Sequence, residues 1–101
     1  MSGRFEFAGR TALITGAASG IGAALAAALA ERGAHLLLAD INAGGLEAVA
    51  EPLRQSGHAV TTHVVDMADA EAIARLARDV EAAGEPVHLL INNAGIALGG
   101  L

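Results

Sequence analysis

Four short apolar runs recur along this chain, and each is separated from the next by a segment whose apolar residues follow helical spacing. The runs are TALIT (11–15), AHLLLAD (34–40), AVTTHVVD (59–66) and VHLLIN (87–92). Between them the spacing predicts a helix from about Ser19 to Arg32, a weaker one over 42–56 and a clear one from Ala68 to Ala83. Ile21, Leu25 and Leu29 mark one face of the first helix, Leu46, Val49 and Leu53 of the second, and Ile73, Leu76 and Val80 of the third. A βαβαβαβ alternation leaves few topologies: strands joined by helical crossovers are parallel, and the crossovers are right-handed. AHLLLAD is apolar enough to be buried on both faces, as a sheet covered by helices requires.

Punctuation supports these boundaries. Gly33 is a stop after the first helix, with Arg32 in the last turn where the helix dipole favours a cation. Gly57 ends the second helix, and Gly84 with Pro86 ends the third. Pro52 falls inside the second helix, where its missing N–H and its ring predict a kink or a break. On the third helix, Glu71–Arg75 and Arg75–Asp79 are spaced as ion pairs.

The junction between the first run and the first helix reads GAASGIG (16–22). A chain so rich in Ala places Gly16, Gly20 and Gly22 here although Gly inside a helix is roughly 0.5–1 kcal/mol worse than Ala. Two explanations stand. The glycines provide a tight turn and close helix–strand packing, or they let a pyrophosphate approach the backbone at a helix N-terminus, with Ser19 adding a hydroxyl. A phosphate loop of the Gly-Lys-Ser/Thr type is excluded, because the chain contains no Lys.

Other polar residues stand at the ends of the later runs. Asp40, eighteen positions after Gly22, is placed to accept from ribose hydroxyls, or to make a turn or cap for the next helix. Asp66 is an adenine contact or an N-cap. NNAG (92–95) closes the fourth run with ordinary turn formers.

Composition narrows the function classes. The six basic residues are all Arg, spread singly in a chain of net charge −5, so no patch exists to neutralise a nucleic-acid backbone. Cysteine is absent, which excludes disulfides and zinc–thiolate sites and fits a reducing compartment. The N-terminus lacks a signal-peptide core, and no apolar run approaches the roughly 18 residues of a membrane span. The expectation is a cytoplasmic protein with no membrane, nucleic-acid or metal partner.

Taken together, TGAASGIG (15–22), Asp40, Asp66 and NNAG (92–95), each at the end of a strand, resemble the short-chain dehydrogenase/reductase family over about residues 7–97. The resemblance implies a Rossmann-type parallel sheet of order 3-2-1-4 and an NAD(P)-dependent hydride transfer between nicotinamide and an alcohol or carbonyl. It implies that Gly16, Ser19, Gly20, Ile21 and Gly22 line the pyrophosphate. Asp40 would hold the adenosine ribose and favour NAD over NADP, with Ile41 flanking the adenine. Asp66 and Met67 would contact the adenine ring. Asn92, Ala94 and Gly95 would lie under the ribose and steady the sheet, with Thr15 bonded to that strand. His35, His58, His63 and His88 match no functional position and are expected at strand edges or partly buried.

That family works with a catalytic Tyr, a Lys beside it and a Ser, and this chain has neither Tyr nor Lys. The expectation is therefore the N-terminal part of one dinucleotide-binding domain, without the catalytic half, and inactive by itself. It belongs to a longer, homo-oligomeric enzyme for a small-molecule substrate. The alternative is a free-standing nucleotide-binding module without catalysis.

Overall fold

The structure, a computed structural model, describes residues 7–84 and 86–93. Seven elements follow in the order that the sequence predicts: β1 (Thr11–Thr15), α1 (Gly20–Glu31), β2 (His35–Asp40), α2 (Ala43–Gln55), β3 (Val60–Val64), α3 (Ala70–Ala82) and β4 (Leu89–Asn92). The strands form one parallel sheet of order β3-β2-β1-β4. This is the Rossmann-type arrangement, and it brings the C-terminal ends of all four strands to one edge.

Alternation along each strand divides the core into two layers. Ala12 and Ile14 of β1 and Leu36 and Leu38 of β2 pack with Ala26, Leu29 and Ala30 of α1 and Leu46 and Ala50 of α2. On the opposite face, Ala39 and the half-buried Leu13 join Val65, Met67 and the Ala72, Leu76 and Val80 side chains of α3. The two layers together leave β2 buried along its middle, as its unbroken apolar run requires.

Side-chain size sets how α1 lies on the sheet. Its buried residues are Gly22, Ala26, Leu29 and Ala30, while Leu25 is half-buried and Ile21 is 50% exposed. Of the expected Ile21–Leu25–Leu29 face, Leu29 thus lies in the core and Leu25 packs against it, while Ile21 turns outward. The cause is Gly22, where an added Cβ would lie 2.3 Å from the Gly16 carbonyl oxygen and 2.8 Å from the Ala17 Cα. Only a residue without a side chain fits there, so the small residues face inward and the larger Ile21 turns out.

Other expectations need correction. α2 runs as one helix through Pro52 rather than breaking there. Pro52 lies in the last turn, and it and Ala48, whose carbonyl loses its partner, are both exposed, so water can satisfy that carbonyl. α3 starts at Ala70 with Asp69 as its cap, because Asp66 instead forms a turn that precedes the helix. The Asp66 Oδ1 accepts from the Ala68 N–H at 2.9 Å, and its carbonyl accepts from the Asp69 N–H at 3.0 Å. Neither Glu71–Arg75 nor Arg75–Asp79 closes among the described residues. Arg54 instead pairs with Glu47 at 3.0 Å and Glu51 at 3.8 Å. An exposed pair gains only about 0.2–0.5 kcal/mol on a helix, too little to hold two long side chains in one geometry.

The flanks of the sheet are tied by side chains. Arg54 Nε donates to the Val60 carbonyl at 3.1 Å, fastening α2 to the edge strand β3. At the start of β1, the N–H of the buried Thr11 donates to His88 Nδ1 at 3.0 Å, while the Thr11 carbonyl accepts from the His88 N–H at 2.9 Å. His35, His58 and His63 are partly buried. Among the described residues, no helix is long and apolar enough to cross a membrane, and no group of His, Cys, Asp and Glu could hold a metal ion.

The contact at Gly22 yields a direct test. Gly22→Ala forces a methyl against backbone atoms that cannot step aside, and it should destabilise the fold by about 1–3 kcal/mol. A urea-unfolding midpoint equal to that of the unaltered protein would show that α1 does not depend on this approach.

Candidate functional site

The turn from β1 into α1 is built around a single carbonyl. Gly16 has φ +65°, a left-handed conformation that favours glycine. Its oxygen accepts from the Ser19 N–H at 3.1 Å, the Ser19 hydroxyl at 2.8 Å and the Asn93 side-chain amide at 3.0 Å. Ser19 caps α1, and its Oγ accepts from the Gly22 N–H at 3.1 Å and from Asn93 Nδ2 at 2.8 Å. The hydroxyl therefore has its one proton and both lone pairs engaged within the chain.

A second clamp comes from β2. The Asp40 carboxylate accepts from the Ala18 N–H through Oδ2 and from the Asn42 N–H through Oδ1, both at 2.9 Å. The Ala17 N–H donates to the Ala39 carbonyl at 3.1 Å, continuing the ladder past the end of β1. Asn42 caps α2 by accepting from the Gly45 N–H. The glycine turn is thus held from the β2 side by Asp40 and from the β4 side by Asn93.

These bonds leave two donors at the start of α1. The N–H groups of Gly20 and Ile21 have no acceptor among the described residues, as expected for the first turn of a helix, where the dipole also concentrates positive potential. Gly20 itself has no intrachain explanation: it is exposed, and an added Cβ would meet nothing within 4 Å. Of the three glycines, Gly16 serves the turn, Gly22 serves packing, and Gly20 keeps free the space beside the two unpaired donors.

Next to this turn lies a cleft of about 180 Å³ lined by Gly16, Asp40, Ile41, Val65 and Met67. The structure thus brings together Gly16, Asp40, Ile41 and Met67 as residues of one cavity. Asp66 lies outside its lining, exposed, with its carboxylate engaged by the Ala68 N–H. Asn92 stands at the end of β4, where its Oδ1 accepts from the Thr15 hydroxyl at 2.9 Å, as expected of Thr15. Ala94 and Gly95 lie outside the described residues. Val65, in the cleft lining, and Asn93, bonded to the turn, were not among the expected site residues. The first was legible only as an apolar residue before Asp66, and the second as the other half of an Asn pair.

Comparison with known proteins gives a consistent result. Residues 10–100 match the family described as short chain dehydrogenase. The chain is 43% identical over 93 residues to a D-threitol dehydrogenase of Mycolicibacterium smegmatis, covering 92% of this chain and 36% of that protein. A short chain dehydrogenase/reductase from Burkholderia phymatum, crystallised in complex with NAD, is 41% identical. It superposes with a TM-score of 0.79, covering 86% of this chain and 31% of that one. A metagenomic short-chain oxidoreductase in complex with NADP is 36% identical at a TM-score of 0.84, covering 91% and 42% of the two chains. The chain thus spans about a third of the length of the curated relatives it matches.

The Asp40 clamp predicts a stability effect that does not require a ligand. Asp40→Ala leaves the Ala18 and Asn42 N–H groups without their acceptor and should cost about 1–3 kcal/mol, more than the removal of an ordinary half-exposed carboxylate. Urea denaturation of the ligand-free protein measures this. A loss below about 0.5 kcal/mol, the usual range for surface changes, would mean that Asp40 does not hold the turn.

Proposed function

This chain belongs to the short-chain dehydrogenase family, and we propose that it binds the adenosine and pyrophosphate of NAD within an oxidoreductase that acts on an alcohol or carbonyl substrate. The observation that carries this reading is Gly20, a residue without a side chain for which the fold itself has no use. It stands beside two unpaired N–H groups at a helix N-terminus. Such a place suits an anion: the backbone supplies donors, the dipole supplies potential, and the missing methyl leaves room for approach.

The residues present fit a dinucleotide. Gly20 and Ile21 offer their N–H groups to the pyrophosphate, with Gly16 and Gly22 shaping the turn. Ser19 takes part through the cap that it forms, since its hydroxyl proton is held by the Gly16 carbonyl. Asp40 keeps lone pairs for the ribose hydroxyls beyond the two backbone bonds that it accepts. Ile41 and Met67 provide apolar surface for the adenine in the cleft, joined by Val65. Asp66 stands next to Met67 as a polar neighbour of the ring. Asn92, with Ala94 and Gly95, is the set that the family resemblance assigns to the ribose.

The bound dinucleotide supplies the hydride chemistry through its nicotinamide. This chain's part is to hold and orient it, and without Tyr or Lys it contributes no acid/base residue of the family type. NAD is favoured over NADP, because the Asp40 carboxylate repels a 2′-phosphate and no Arg or Lys stands at positions 41–53 to offset it.

Two substitutions test the reading. Gly20→Ala should fold as well as the unaltered protein or slightly better, since Ala is favoured in a helix by about 0.5–1 kcal/mol, yet weaken NAD binding at least about tenfold. Calorimetric titration showing unchanged affinity would remove the assignment of this turn to a pyrophosphate. Asp40→Arg should shift the ratio of NAD to NADP affinity toward NADP. An unmoved ratio would leave the preference for NAD without its residue.

A further inference from the structure

Asn92 and Asn93 are neighbours, but the fold gives them different work. Asn92 accepts from Thr15 and joins β4 to β1. Asn93 is 8% exposed and directs both hydrogens of its side-chain amide into the glycine turn, one to the Gly16 carbonyl at 3.0 Å and one to the Ser19 Oγ at 2.8 Å. Burying a carboxamide is costly unless its hydrogens are bonded, so this placement is specific.

The consequence runs through the Ser19 hydroxyl. A serine hydroxyl rotates freely unless its surroundings fix its proton. Here Asn93 Nδ2 takes one lone pair and the Gly22 N–H the other, which leaves the Gly16 carbonyl as the one acceptor for the proton. The Gly22 N–H is thereby tied back into the cap, and the N–H groups of Gly20 and Ile21 are left as the donors facing an incoming anion. Resting on the nucleotide reading above, we propose that Asn93 is a positioning residue for the pyrophosphate: it sets the donor arrangement of the turn through Ser19 without touching the ligand.

ADP is the probe, since it carries a pyrophosphate without a nicotinamide. Titrations of the unaltered protein, Asn93→Ala, Ser19→Ala and the double variant form a mutant cycle. The expected result is about a tenfold loss of ADP affinity in Asn93→Ala, with the double variant no weaker than the weaker single one. Unchanged affinity in Asn93→Ala, or losses that multiply independently, overturns the link. Nuclear magnetic resonance on the unaltered protein gives a second measurement that no misfolded variant can spoil. The side-chain amide protons of Asn93 should shift in step with the backbone amides of Gly20 and Ile21 as ADP is added. An Asn93 signal that stays still while those two move overturns the proposal. A protein that takes up none of ADP, NAD and NADP would remove the nucleotide reading and this inference with it, whereas full ADP affinity in Asn93→Ala removes the inference alone.

Discussion

The carbonyl of Gly16 is the point on which the rest of this molecule depends. It accepts three hydrogen bonds, two from Ser19 and one from Asn93, and it faces the backbone of Gly22 so closely that no side chain fits between them. The first group of bonds fixes the turn. The second contact fixes the rotation of α1, and with it which of the helix's residues enter the core. Local hydrogen bonding and global packing are here consequences of one oxygen's surroundings.

The core that results is made largely of small residues. Ala26 and Ala30 of α1, Ala50 of α2 and Ala12 of β1 are almost fully buried, and the two described layers contain no aromatic ring among their buried members. Small side chains let helices lie close to a sheet, and close helices make backbone-to-backbone contacts such as that at Gly22 decisive. The opposite face is covered less completely. Leu90 is 61% exposed, and an apolar groove of about 510 Å³ runs between α3 and β4 past Leu13, Val80 and Val87.

Much of this was legible in the sequence because it rests on chemistry that repeats. Consecutive apolar residues announced the buried strands, and Gly33 and Gly57, both with positive φ, ended helices where expected. Asp40 makes the turn bond to the Asn42 N–H that its place before a helix allowed, and Thr15 met its strand. What escaped has a common physical character. Hydrophobic periodicity weighs large residues, so it chose Ile21 for the inner face of α1, whereas the deciding residue was one with no side chain. Asp66 and Asp69 are equally good caps on composition, and only the turn geometry between them selects Asp69. Asn93 reaches partners 74 and 77 positions earlier, a pairing that no local pattern announces. The three glycines read as one motif, yet within the fold Gly16 serves the turn and Gly22 the packing, while a side chain on Gly20 would meet nothing.

The span of those bonds also bears on how the molecule comes into being. α1 and its flanking strands need only near neighbours in the chain. The turn between β1 and α1, however, closes on β4, and all the side-chain bonds that join them cross 74 to 77 positions. Contacts so distant in sequence form late, after the loop between them has been closed at an entropic cost. The glycine turn precedes the fourth strand in the chain and completes its hydrogen bonding only when that strand is present. The earlier of these two segments is thus completed by the later one.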